Sequence, residues 1–119
     1  MKIHIALTLI LILSNTTAMA GETMQCDIGP LKKEYGGTNW LVYSCTNKKS
    51  LVFITDQGNP AMPFYFMYHP KNGVYNLHGE GTGNKKYTNA AYEQLKTLPL
   101  KSINELISST LEVAKKDNK

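Results

Sequence analysis

Two histidines and a glutamate, His69, His78 and Glu80, lie close together in the second half of the chain. Two imidazoles and a carboxylate can bind Zn²⁺ and leave one coordination position open for water, as in hydrolytic zinc sites. The same residue types are common on polar surfaces, and the sequence provides no evident carboxylate to orient either imidazole. We therefore keep a metal-dependent hydrolase as an alternative and expect neither a bound metal nor a cofactor.

A glycine-rich segment covers residues 79–83, and two lysines follow it before a helical pattern begins. Backbone amides at the start of a helix can bind an anion together with ammonium groups. The spacing matches neither the dinucleotide fingerprint nor the P-loop, and a flexible connection between a strand and a helix accounts for it equally well. The candidate anion ligands are Gly81, Gly83, Lys85 and Lys86.

Catalytic constellations of other kinds are missing from the sequence. No serine lies in the glycine-flanked turn that presents a nucleophile in hydrolases. Asp56 and Glu80 are a conceivable carboxylate pair for glycoside hydrolysis, but a chain of this size has little room for a substrate cleft. We therefore expect no catalytic activity.

The first twenty residues have the three-part pattern of a signal peptide. Lys2 supplies a positive charge, an apolar run covers residues 5–13, and the small residues Ala18 and Ala20 precede Gly21. The run is shorter than the roughly 20 apolar residues that a membrane-spanning helix needs. We predict a cleaved signal peptide over residues 1–20 and export of a single domain, residues 21–119, to the periplasm or the extracellular medium, with no integral membrane segment.

The exported chain contains two cysteines, Cys26 and Cys45. In an oxidising compartment two cysteines allow one pairing. No histidine lies near them as in a zinc site, and they do not form a C-x-x-C redox motif. The sequence therefore predicts a structural disulfide between them.

The charge of the chain argues against nucleic-acid binding. Without Lys2 it has 12 lysines and 9 acidic residues, a net charge of +3, and it contains no arginine. Arginine is the preferred residue for bidentate contacts to phosphates and bases. We expect no nucleic-acid partner.

Apolar segments of strand length alternate with turn-forming residues in the first two-thirds of the exported chain. Their β-branched and aromatic composition predicts strands over residues 23–28, 39–46, 51–55, 64–69 and 74–79, with Gly29-Pro30 ending the first of them. After residue 83 the apolar period changes from 2 to 3.6 residues. Strands followed by helices indicate an α+β fold, an antiparallel meander of four or five strands with two C-terminal helices packed on one face.

Pro70-Lys71-Asn72-Gly73 is the strongest turn signal in the chain, because asparagine and glycine accept positive φ angles. The hairpin around it should have two distinct faces. One face is predicted to carry Phe64, Phe66, Tyr68, Tyr75 and Leu77, and the other Tyr65, Met67, His69, Val74, Asn76, His78 and Glu80.

Two helices are predicted on either side of Pro99. The first has an apolar stripe and takes Thr88 or Asn89 as its N-cap. The second begins with Ser102 and Glu105 in the spacing of a capping box and ends in a charged tail that should fray. The apolar stripes are Ala91, Tyr92, Leu95 and Leu98 in the first helix, and Ile103, Leu106, Ile107, Thr110 and Ala114 in the second.

The predicted strands are apolar on both faces, whereas a solvated face would alternate apolar with polar residues. Two short helices can cover one face only. Either the sheet curls to close its own core, or a second copy or a partner protein covers the other face. Tyrosine and methionine are favoured at such interfaces. The predicted partner-contacting residues are Tyr65, Met67, His69, Asn59 and Met62.

These observations favour a small exported binding module that docks a protein partner, as an inhibitor would, or that associates with itself. The rigid loop over residues 57–63 and the loop over residues 79–86 are further candidate contact regions. A carrier of a small apolar or anionic ligand, and the hydrolase using His69, His78 and Glu80, remain as alternatives.

Overall fold

The structure, a computed structural model, describes residues 24–117, so the predicted signal peptide lies outside the described residues. It contains five strands and two helices in the predicted order, and the α+β prediction is confirmed. The strands form one antiparallel sheet in the order β1-β2-β3-β4-β5. The elements are β1 (Ile28–Tyr35), β2 (Thr38–Ser44), β3 (Leu51–Thr55), β4 (Phe64–Lys71), β5 (Val74–Gly81), α1 (Lys85–Leu95) and α2 (Leu100–Asp117).

The inner face of the sheet carries the hydrophobic core. Trp40, Val42, Phe53 and Phe66 are almost completely buried there, and the rings of Trp40 and Phe66 lie 5.3 Å apart. Helix α2 packs mainly against β1 and β2, and α1 contacts β1. The helix residues buried in this core are Ala91, Leu95, Ile103, Leu106 and Ile107.

The first strand differs from its prediction. The predicted strand over residues 23–28 is wrong, because β1 begins at Ile28 and continues through Gly29 and Pro30. The pairing with β2 shifts register between Ile28 and Leu31, and Gly29 has a φ of 141°. Proline is tolerated because β1 is an edge strand and the shift is a bulge, so its missing N–H interrupts no central ladder.

The β4–β5 hairpin confirms the predicted turn and register. Asn72 and Gly73 have φ angles of 53° and 80°, as a two-residue type I′ turn requires. Lys71 pairs with Val74, and Tyr68 pairs with Leu77. The two predicted faces of the hairpin follow directly from this register.

Both helices begin earlier than predicted. Helix α1 begins at Lys85 and is capped by the side chain of Asn84, which accepts a hydrogen bond from the Lys86 amide. Thr88 and Asn89 therefore lie inside the helix, and their prediction as N-caps is wrong.

Helix α2 begins at Leu100, and its Ile103 amide donates to the carbonyl of Pro99 at 3.1 Å. Ser102 lies within the first turn, so the predicted capping box is also wrong. The buried stripe is as predicted, since Ile103, Leu106, Ile107 and Thr110 all face the core. The charged residues at the C-terminus remain helical as far as Asp117.

The disulfide between Cys26 and Cys45 is present, with an S–S distance of 2.02 Å. It joins the segment before β1 to the end of β2. The amide of Thr46 donates to the carbonyl of Gln25 at 2.8 Å beside it. Cys45 is completely buried, so the crosslink is part of the core.

Candidate functional site

The outer face of the sheet, opposite the helices, carries two apolar rows that run across β2, β3 and β4. Strand pairing places Leu41 beside Ile54 and Tyr43 beside Val52. It then places Ile54 beside Tyr65 and Val52 beside Met67. We call these six side chains the outer patch: Leu41, Tyr43, Val52, Ile54, Tyr65 and Met67.

Polar residues border the outer patch at both ends of the rows. Lys32 of β1 pairs with Leu41, while Glu80 and His78 of β5 pair with Tyr65 and Met67. An apolar centre with a charged rim is the usual anatomy of a protein–protein interface. The sequence predicted the apolar character of this face, but the rows became visible only with the register of β2, β3 and β4.

The outer patch is accessible to a partner. Ile54 and Tyr65 are 39% and 40% exposed, and the other four side chains are half-buried against one another. Within residues 24–117 both helices lie on the inner face, and the sheet is open, with β1 and β5 at its two edges. The alternative of a sheet curled into a closed core is therefore not what these residues form.

A shallow cavity of about 440 Å³ lies at one end of the outer patch. Its lining includes Ile54 and Tyr65 of the patch, Met62 and Pro63 of the loop before β4, and Glu80 of β5. Met62 is 44% exposed. A cavity of this kind can take one apolar side chain of a partner, as buried anchor residues do at interface centres.

The predicted contact residues do not all reach this surface. Tyr65, Met67 and Met62 lie on it, and His69 follows Met67 on the same face. Asn59 does not, because it is only 7% exposed. Its side-chain nitrogen donates to the Asn39 carbonyl at 2.7 Å, and its Oδ1 accepts from the Ala61 amide at 2.7 Å. Asn59 therefore shapes the loop and exposes little surface, and its role as a contact residue stays a prediction.

The structure brings together two of the three predicted metal ligands. The Nε2 atom of His78 lies 3.6 Å from a carboxylate oxygen of Glu80, and both side chains are more than half exposed. His69 pairs with Asn76 and lies two residue pairs closer to the turn than the Met67–His78 pair. Its Nδ1 atom is buried and has no hydrogen-bond partner among the described residues. No group of three metal-ligating side chains forms within residues 24–117.

The glycine-rich segment, which holds the predicted anion site, is bonded to the loop before β4. The amides of Thr82 and Gly83 both donate to the carbonyl of Pro63 at 3.1 Å, and the Asn84 amide donates to the Pro60 carbonyl at 3.4 Å. These amides are therefore already occupied. A Cβ atom on Gly83 would collide with the Ala61 carbonyl, and one on Gly81 would collide with the Pro63 carbonyl.

The loops over residues 57–63 and 79–86, which were predicted as separate contact regions, consequently lie against each other. The loop before β4 and the loop after β5 share the hydrogen bonds just described, so that Met62 and Pro63 are held beside the end of β5. The glycines allow this close backbone approach. Lys85 and Lys86 are exposed at the start of α1, and the Lys86 ammonium lies 5.6 Å from the centre of the Tyr87 ring.

A second concave region, with a volume of about 1100 Å³, lies between β1 and the two helices. Its walls mix apolar residues such as Leu31 and Leu98 with the charged residues Lys33 and Glu105. Tyr35 also lines it, and burial raises the pKa of the Tyr35 phenol to about 12. This groove was not predicted, because it depends on how the helices sit over β1.

Comparisons of the chain with protein-family models, with curated proteins and with solved structures find no match. None of the helices in the described part of the chain has the length and apolar character needed to cross a membrane.

Proposed function

We propose that the chain is an exported binding module that docks a protein partner through the outer patch, as an inhibitor of that partner would. The observation that carries the proposal is the exposed apolar surface of Ile54 and Tyr65 on a sheet whose other face already holds the core. A contiguous apolar patch with a charged rim on a small domain is typical of an interaction site.

The chemistry of the patch also suggests what the partner presents. Tyrosine and methionine supply large contact areas, and the cavity beside Met62 and Pro63 accepts an apolar side chain. Glu80 at the rim of the cavity favours a basic group next to that side chain. We expect the partner to offer an apolar residue with a lysine or arginine beside it. The disulfide suits the oxidising compartment that the predicted signal peptide implies.

The test is affinity capture with tagged, oxidised residues 21–119 from an envelope or secreted-protein extract. Tyr65→Lys is the disrupting variant, because lysine places a charge within the apolar patch beside the cavity while facing Glu80 across the strands. Tyr92→Lys is the matched control, since Tyr92 is 39% exposed but lies on α1 near Phe66 of the inner face. Both variants carry the same net charge.

One protein retained in stoichiometric amount by the native chain and by Tyr92→Lys, and lost with Tyr65→Lys, would support the proposal. Retention of the same proteins by all three chains would contradict it. Urea unfolding of each chain verifies that both variants are folded before capture.

A carrier function is the second candidate, and the groove of about 1100 Å³ between β1 and the helices favours it. Mass spectrometry of the native protein under non-denaturing conditions would reveal a bound small molecule as added mass. Leu98→Trp should reduce that added mass by filling the groove, whereas Tyr65→Lys should leave it unchanged.

A further inference from the structure

We propose that strand β5 is a self-pairing edge, at which two copies of this chain join their sheets through antiparallel β5–β5 pairing. The inference is separate from docking at the outer patch, which uses β2, β3 and β4. It rests on the contrast between the two sheet edges, on the direction of the β5 backbone groups and on the sequence of β5 itself.

The two edges of the sheet are protected very differently. Edge strands normally carry proline, bulges or charged residues that prevent pairing with another chain. β1 has all three, namely Pro30, the register shift after Ile28, and the charged run Lys32, Lys33 and Glu34. Helix α2 also packs on β1.

β5 lacks most of these protections. It runs regularly for eight residues, contains no proline and no lysine, and has Glu80 as its one acidic residue. It pairs with β4 without a register shift over its whole length. Among the strands of residues 24–117 it has β4 as its single neighbour. A long, regular and weakly charged edge is a template for a further strand.

The hairpin geometry identifies the backbone groups that are free at this edge. In a two-residue turn the closing residues, here Lys71 and Val74, form a hydrogen-bonded pair. Hydrogen-bonded and non-hydrogen-bonded pairs alternate from there. Even-numbered residues of β5 therefore bond to β4. The amides and carbonyls that point away from the sheet belong to Tyr75, Leu77, Gly79 and Gly81.

The sequence of β5 is complementary to itself when two copies run antiparallel with Leu77 at the two-fold axis. Leu77, which is half-buried at the rim of the core, would then pack on its own symmetry mate. Tyr75 would lie beside Gly79 of the other copy, at which a Cβ atom would collide with the rings of Phe64 and Phe66 of that copy. Asn76 would face His78, two polar groups able to hydrogen-bond.

This pairing explains why a second copy fits better than an unrelated strand. Leu77 and Tyr75 are partly buried against the core of the inner face, and the Tyr75 hydroxyl donates to the Lys49 carbonyl at 2.9 Å. A symmetric partner covers both residues in both copies with a single interface, as isologous dimers do.

Amide hydrogen exchange on oxidised residues 21–119 tests the pairing without any substitution. Even-numbered amides of β5 should exchange slowly at every protein concentration, because they bond to β4. The amides of Tyr75, Leu77 and Gly79 should exchange rapidly when dilute and slowly when concentrated. If these amides exchange only in unpaired chains, and about nine in ten chains are paired, their observed exchange rate falls about tenfold relative to the dilute sample. Sedimentation of the same samples should show the mass doubling over the same concentration range.

A cysteine crosslink tests the register. Leu77→Cys should form an intermolecular disulfide, since directly opposite residues lie at disulfide distance in an antiparallel pair. Val74→Cys is the matched control on the same strand, and its two copies would be far apart, so it should remain uncrosslinked. Failure of Leu77→Cys to crosslink, with Val74→Cys crosslinking instead, would overturn this register.

Rapid exchange of the odd-numbered amides at all concentrations would overturn the proposal, and so would a single-chain mass throughout. If the chain is monomeric and these amides become slow only when a protein captured from the extract is added, the edge belongs to that protein and self-pairing is wrong. Capture at the outer patch is measured independently with Tyr65→Lys, so either proposal can fail alone.

Discussion

Asn59 stabilises the loop between β3 and β4 through two hydrogen bonds of 2.7 Å, one to the Asn39 carbonyl and one from the Ala61 amide. Asn59→Ala removes both and leaves the buried groups unsatisfied, which should lower the free energy of unfolding by about 1–3 kcal/mol. The comparison is Asn104→Ala on the exposed side of α2, which should change it by about 0.5 kcal/mol or less. Equal urea midpoints for the two variants would contradict this role of Asn59.

Tyr35 should make stability decrease at alkaline pH. Burial raises the pKa of its phenol from 10.0 to about 12 in the folded chain, so the folded state retains the proton that the unfolded chain releases. Its contribution is complete below pH 10.0 and is lost as the pH rises towards about 12. Urea unfolding at increasing pH should therefore show a smaller alkaline loss for Tyr35→Phe than for the native chain. Parallel losses would rule out the phenol, because the two chains differ only in that hydroxyl group.

Residue types alone predicted some roles in this chain and not others. The cysteine pair was predictable because two cysteines have one partner each. Asn59 was predicted to contact a partner because it lies in a loop made rigid by prolines. Its burial follows from a hydrogen bond to Asn39, twenty positions away in sequence, and no local pattern contains that contact.

At the scale of elements, the glycine-rich connection shows how a loop can be fixed by steric contact. A Cβ atom on Gly83 would collide with the backbone of Ala61, so Gly83→Ala must push the two loops apart. We expect a loss of about 3 kcal/mol. Gly37→Ala is the comparison, since nothing lies within 4 Å of its Cβ position and only its φ of 79° opposes alanine. That strain costs about 1–2 kcal/mol. A smaller loss for Gly83→Ala than for Gly37→Ala, by urea unfolding, would refute the steric argument.

The strands that were predicted well are those whose local pattern and tertiary position agree. β3 has the predicted bounds, and the β4–β5 register follows from Asn72-Gly73. β1 was mispredicted because proline was taken as a strand breaker, although an edge strand with a bulge tolerates it. The helix starts were missed because Asn84 caps α1 earlier than the apolar stripe suggests.

At the scale of the whole molecule, the fold offers two different surfaces to other chains, one face of the sheet and one edge of the sheet. The outer patch lies on one face of the sheet, and the unprotected edge is β5. Edge pairing would extend the sheet and leave the outer patches of both copies on the same side, joined along the His78 and Glu80 border. The strands lack the apolar–polar alternation of a solvated face, which indicated a second apolar face, but whether that face was covered depended on which way the helices packed.

The disulfide joins the segment before β1, the protected edge strand, to the end of β2. Cys26 and Cys45 are separated by 19 positions, and opening a loop of this size should lower the free energy of unfolding by about 3 kcal/mol, mainly because the unfolded chain gains conformational freedom. Urea unfolding with and without a reductant measures the loss.

The β4–β5 hairpin lies at the opposite side of the sheet, so the odd-numbered β5 amides should keep their concentration-dependent exchange after reduction as long as the chain remains folded. Suppose that reduction makes β5 amide exchange independent of protein concentration while the chain stays folded. Pairing through β5 would then depend on the β1 side of the sheet, and the proposal that β5 pairs by itself would be wrong.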